Sequence, residues 1–301
     1  MNTKIETPKA LKAGVITAIA TPFTADSSNI DYESLDKLIK QQIEGGVTGI
    51  VIAGSTGEAA TLSDVEYGAL IRYIVDRVEG RILCIAGVNS SSTAKAIELA
   101  SRAVDSGADK LLVVTPPYNK PTQAGIIKHF ESIKTATSKS IMAYNVPGRA
   151  AAEISADSIH QLFLSEIIDS IKESSGSVDK AMDMMSKCPE LPLYSGDDSL
   201  TVSLIALGAK GVVSVASNVN PVAVSRMCDL AFRGDFIAAR QQLFALLPLF
   251  RAIFLESNPI PVKAALKIAG IIENQSLRLP LMSASESTVE CLRRTLQGSL
   301  N

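Results

Sequence analysis

The sequence predicts an α/β fold, a closed (β/α)8 TIM barrel with a C-terminal helical extension. Short apolar runs rich in Val and Ile recur at intervals of very roughly 30 residues, the rhythm of βα units. Eight such runs can be read, more than a minimal doubly wound sheet needs. They are apolar throughout, without alternation, as strands covered on both faces should be.

In order, the runs are GVITAIATPF from Gly14, GIVIAG from Gly49, ILCIAG from Ile82 and KLLVVTPP from Lys110. SIMAYN from Ser140, IIDSIK from Ile167, LPLYSG from Leu191 and GVVSVAS from Gly211 complete the set. Amphipathic stretches lie between them. YESLDKLIKQQIE, Tyr32 to Glu44, has helical periodicity, with Asp31 placed to cap it. TAKAIELASRAVDSG, from Thr93, shows the same period and stops at Gly107. Residues 1–222 thus carry the barrel strands and intervening helices, and 223–301 the closing helix plus the extension. That tail is too long for one helix, and Pro259 and Pro261 open one of about three more.

With 47% apolar and 20% charged residues, the 301-residue chain has the composition of a soluble globular protein that buries a large core. A net charge of −2 with no gathered Lys and Arg argues against nucleic acid as a partner. The opening MNTKIETPKALKAG lacks the apolar core of a secretory signal. FALLPLFRAIFL, Phe244 to Leu255, is too short to span a bilayer and contains Pro248 and Arg251, so a buried helix is expected. Cys84, Cys188, Cys228 and Cys291 show no CxxC spacing, which fits reduced thiols in a cytoplasmic protein without membrane attachment.

In such barrels the site forms at the C-terminal ends of the strands. The polar residues there are Thr21, Ser55, Thr56, Asn89, Thr115, Tyr118, Tyr144, Asn145, Lys172, Ser195, Gly196 and Ser214. No histidine is among them: His129 and His160 fall in helical stretches, where an aromatic contact or a cap is expected. Asp197 and Asp198 are the one adjacent acidic pair, for which a solvated or turn-forming role is expected. Neither a metal cluster nor a Ser-His-Asp triad is supported.

What remains is a lysine with a phenol. Burial disfavours the charged form of an amine, and a neutral amine attacks a ketone to form an imine. The imine withdraws electrons, so a proton alpha to it can leave, and a tyrosine can carry protons where no histidine is available. Tyr144 ends the strand before Lys172 and could face it across the barrel mouth. A 2-oxo acid would also need its carboxylate held. AGSTGEAATLS, Ala53 to Ser63, offers two hydroxyls between glycines with a helix expected soon after.

GSTGE, TPPYNKPTQ, YNVPGR, SIKESSG, YSGDD and NPIPVKAAL occur in that order across nearly the whole chain. In this the sequence resembles the dihydrodipicolinate synthases of the pyruvate-dependent class I aldolase and lyase family, which also holds the N-acetylneuraminate lyases. The resemblance implies that Lys172 forms a Schiff base with pyruvate and that Tyr144 transfers protons against it. It implies that Ser55 and Thr56 hold the pyruvate carboxylate, with Thr56 linking phenols in a relay. Tyr118 would reach into a neighbouring subunit of a homo-oligomer, a tetramer of paired dimers. Gly196 and the Val213 carbonyl would line the pyruvate pocket. Arg149 would hold the carboxylate of L-aspartate-4-semialdehyde, giving 4-hydroxy-tetrahydrodipicolinate on the route to diaminopimelate and lysine. No cofactor or metal is implied.

The chain departs from the family pattern in two places. Ser55 stands where the synthases usually have threonine, as some lyases do. Lysine-inhibited members use a histidine, an asparagine, a glutamate and a tyrosine at an effector site. Here those places hold Asp64 or Tyr67, Ser91, Lys95 and Pro117, which implies weak or absent feedback by lysine. Two other readings stay open: another aldolase or lyase acting on a sugar acid, and an inactive barrel serving as a binding protein.

Overall fold

The computed structural model of the chain describes residues 11–299. The amino-terminal stretch read for a leader lies mostly outside them. Eight parallel strands close in chain order, β8 pairing back onto β1. They are β1 (Gly14–Ala18), β2 (Gly49–Ile52), β3 (Leu83–Val88), β4 (Lys110–Val114), β5 (Ile141–Asn145), β6 (Ser170–Glu173), β7 (Leu193–Ser195) and β8 (Gly211–Ser214). The helices of the first half are α1 (Tyr32–Glu44), α2 (Asp64–Val78), α3 (Thr93–Asp105), α4 (Gln123–Thr137), α5 (Pro147–Ala150) and α6 (Ala156–Leu164). Those of the second are α7 (Val178–Lys187), α8 (Thr201–Ala206), α9 (Pro221–Phe232), α10 (Phe236–Ala252), α11 (Ile260–Ile268) and α12 (Glu286–Ser299).

The period-two alternation of each strand divides the apolar side chains into two cores. Ile16, Val51, Ile85, Leu112, Met142 and Val213 fill the barrel interior. Their neighbours Val15, Ile50, Cys84, Leu111, Ile141 and Val212 face the helical layer, where Leu70, Ile71 and Phe130 meet them. Continuous apolar runs are the consequence. The seam between β8 and β1 is tight: a Cβ on Gly211, at φ +140°, would lie 1.8 Å from the Gly14 carbonyl oxygen.

Asp31 caps α1 by accepting from the Ser34 N–H at 3.1 Å, and α3 ends just before Gly107, as its period predicts. The run starting at Ile167 differs. Its first residues close the turn after α6, the Ile167 N–H donating to the Leu162 carbonyl, and pairing with β5 starts only at Ser170. α9 follows β8, and α10 to α12 follow it, with Pro261 in the first turn of α11. The stretch Phe244–Leu255 is less buried than expected. Leu246, Leu249 and Phe250 pack inward, whereas Phe244, Phe254 and Leu255 stand exposed. Among the described residues no helix is long and apolar enough to cross a membrane.

Candidate active site

Alternation along β6 turns Ile171 outward into the helical layer, so the next side chain, Lys172, must enter the barrel. In the sheet register Tyr144 pairs with Lys172, and Lys172 with Tyr194. The Lys172 amine lies 4.3 Å from the centre of the Tyr144 ring. Lys172 is 5% and Tyr144 6% exposed. No carboxylate of a described residue lies within ion-pair reach of the amine.

Above the amine opens a cleft of about 110 Å³. Ser55 and Thr56 form one wall, Arg149 and Asn258 the rim, and Ser174, Gly196 and Asp197 the side next to Lys172. Gly196 is required by space: a Cβ there would lie 2.9 Å from Lys172 Cε and 1.6 Å from Ser174 Oγ. Val213 stays below the cleft in the barrel interior.

The loop after β2 turns back on itself. The Gly57 and Ala59 N–H groups donate to the Gly54 carbonyl, and the Glu58 N–H to that of Ser55. The amides of Ser55 and Thr56 donate to no described residue, which leaves two adjacent N–H groups beside two hydroxyls on the cleft wall. Two N–H groups and two hydroxyls suit a carboxylate. The helix expected soon after starts at Asp64, capped by Ser63, with a 3-10 turn over Ala59–Thr61 between the hydroxyls and it. Its N-terminus is therefore not part of this wall.

Two residues that the strand-end reasoning did not single out are prominent here. Asn258 is 6% exposed and donates from Nδ2 to Thr56 Oγ1 at 2.9 Å. Its backbone carbonyl accepts from Arg149 Nη2 at 3.0 Å, which places the guanidinium at the rim. Asn258 Oδ1 and Ser174 Oγ have no partner among the described residues. Asn258 could have drawn notice only through the NPIPVKAAL motif, since nothing local marks it as polar and buried.

Of the solvated or turn-forming role expected for the acidic pair, Asp198 takes the turn-forming one. Asp198 is 2% exposed and accepts from Ser214 Oγ at 2.5 Å and from the Val215 and Ala216 N–H groups at 3.2 Å, so it forms a turn but inside the protein. Asp197 lines the cleft, and burial raises its carboxyl above the usual range against the pull of the Gly176 N–H and of Lys172. Tyr118 is 89% exposed, with φ +71°, and does not line this cleft. No hydrogen bond joins Thr56 to Tyr144 or Tyr118 among the described residues; Thr56 is held by Asn258 instead. His129 packs edge-on against Phe130, outside the cleft. At the places read for an effector site, Lys95 is paired with Asp64 at 2.6 Å, and the Tyr67 hydroxyl donates to the Gly87 carbonyl at 3.0 Å.

The sequence profile of the dihydrodipicolinate synthetase family matches residues 11–299. The chain is 44% identical over 276 residues to the 4-hydroxy-tetrahydrodipicolinate synthase of Leptospira biflexa, covering 91% of this chain and 93% of that one. It is 43% identical to the same enzyme of Syntrophobacter fumaroxidans, over 95% of this chain and 98% of the other. Among solved structures, dihydrodipicolinate synthase from Thermotoga maritima superposes with a TM-score of 0.93 at 38% identity, covering 96% of this chain and 99% of that one. The chloride-inhibited synthase from Acinetobacter baumannii, solved with pyruvate, gives a TM-score of 0.93 at 40% identity with the same coverage.

Proposed function

Because the chain belongs to the dihydrodipicolinate synthetase family, we infer that it is a lyase condensing pyruvate with L-aspartate-4-semialdehyde. The product is 4-hydroxy-tetrahydrodipicolinate, on the route to diaminopimelate and lysine. The observation that carries the reading is a buried amine lying over a phenol ring, in no ion pair among the described residues, beneath two hydroxyls and two amides that donate to no described residue.

Lys172 attacks the keto carbon of pyruvate, and loss of water gives the imine. The carboxylate rests on the Ser55 and Thr56 amides and hydroxyls, with Gly196 and the Val213 carbonyl lining the pocket below. Tyr144, left as a phenolate by giving its proton to the departing hydroxyl, takes a methyl proton, and the enamine carbon attacks the aldehyde of the second substrate. Arg149 takes that substrate's carboxylate in its planar fork. The substrate's amine then displaces Lys172 as the ring closes, releasing the lysine for another cycle. Thr56, which accepts from Asn258 and so keeps its own proton to donate, and Tyr118 of a neighbouring protomer are assigned the rest of the proton path. The exposure of Tyr118 supports its service to a neighbouring protomer, in a homotetramer working in the cytoplasm. No cofactor or metal takes part in this scheme, since the imine itself is the electron sink.

Borohydride reduction with pyruvate followed by peptide mapping tests the assignment. The expected label sits on Lys172, and a label elsewhere refutes it. Feedback by lysine is weak or absent, because an incoming ammonium meets Lys95 and a carboxylate that Lys95 already occupies. Half-inhibition by sub-millimolar lysine would contradict that. Ser55 favours a sugar-acid lyase, and assaying pyruvate with the aldehyde beside N-acetylneuraminate alone, read by release of pyruvate, separates the two activities.

A further inference from the structure

Lys263, on α11, is a second buried amine that this chemistry leaves unused. Its side chain and that of Glu58 are both wholly shielded from solvent. Lys263 Nζ donates to Glu58 Oε1 at 2.7 Å and to the Thr21 carbonyl at 2.9 Å, with the Phe23 ring centre 4.3 Å away. The other Glu58 oxygen accepts the Arg278 N–H at 3.1 Å. Glu58 follows Gly57 directly and adopts φ +53°, a left-handed backbone conformation uncommon without glycine. Thr21 adds a hydroxyl bond to the Gly57 carbonyl at 2.8 Å. The pair therefore joins α11 to the back of the loop whose front is the Ser55–Thr56 wall. On the front, Asn258, just before α11, donates to Thr56.

A charge pair removed from water seldom stabilises a protein more than apolar side chains of equal volume would. What it does impose is geometry, because neither charge tolerates any other position in a dry interior. We propose that Lys263 and Glu58 are positioning residues that lock α11 onto the loop after β2, and so hold Thr56 where it receives the carboxylate of pyruvate. This rests on the activity inferred above. Neither residue touches the substrate; both act through the loop and Asn258.

The test compares the wild type with Lys263→Met, the double variant K263M/E58Q, and Glu58→Asp. Borohydride trapping across a range of pyruvate concentrations is measured beside thermal melting. Lys263→Met strands a buried carboxylate and lowers the melting temperature. The double variant removes both charges and regains most of that loss, yet needs about tenfold or more pyruvate for half-maximal trapping. Glu58→Asp keeps both charges but shortens the reach, and raises the pyruvate requirement in the same direction. Adding Thr56→Ala to the double variant costs little more, since the pair acts through Thr56. Wild-type pyruvate dependence in the folded double variant, or in Glu58→Asp should the double variant not fold, overturns the inference alone. A wild type that traps no pyruvate overturns it together with the proposed activity.

Discussion

Two strands of the barrel each carry a buried lysine, one at the foot and one at the mouth, and the two are treated in opposite ways. At the foot, Lys110 opens β4 and is 3% exposed; its amine donates to Ser140 Oγ at 2.7 Å and pairs with Asp169. At the mouth, Lys172 is 5% exposed and meets a tyrosine ring, with no such ion pair among the described residues. Burial pushes the Lys110 amine below the usual lysine range, and Asp169 opposes that shift. Burial alone therefore does not make an amine available for chemistry. What matters is whether a partner has already taken it. The foot closes the barrel; the mouth leaves its amine facing an aromatic surface and a cleft.

Exchanging the two lysines for inert side chains gives the widest separation. Lys172→Ala should lower turnover by roughly a thousandfold or more and abolish borohydride labelling, since the covalent step itself is lost. Wild-type turnover in that variant would break the contrast. Gly196→Ala comes next. The new methyl group must displace Lys172 Cε or Ser174, and a shift on the order of 1 Å costs about a hundredfold in rate, measured by steady-state assay.

At the foot, Lys110→Met should leave the rate per folded molecule unchanged. It should cost about 1–3 kcal/mol in denaturant unfolding, because Ser140 and Asp169 lose their donor. A large loss of turnover there would show that the ends are not independent. The smallest effect belongs to the helical shell between them. Burial lowers the His129 pKa from 6.5 to about 4, so the folded protein keeps this ring neutral. As pH falls below 6.5 the unfolded chain takes up the proton first, and stability should decline until about pH 4 and then stop responding to this group. Unfolding curves of His129→Gln across that window should lack this component.

The strands were readable because a parallel barrel buries both faces, so each announces itself as an unbroken apolar run. The exception is instructive. Ile167 and Ile168 are as apolar as any strand residue, but they belong to the turn after α6, and composition cannot distinguish the two. Lys172 and Tyr144 were legible because each ends an apolar run, where a polar group in a barrel has few reasons to be. The turn-forming role of Asp198 was legible but its burial was not, because a buried aspartate and a solvated one look alike until its three donors, from β8 and the turn after it, are seen.

By itself the sequence determined which side chains enter the barrel, since alternation along a strand is set by backbone geometry, and it placed Lys172 at the mouth. Only the tertiary structure decided what each polar group meets. Asn258 reaches Thr56, and Lys263 reaches Glu58, across separations of 202 and 205 residues. Contacts at such distance follow from how α11 lies over the barrel rim, and no local periodicity or capping rule encodes them.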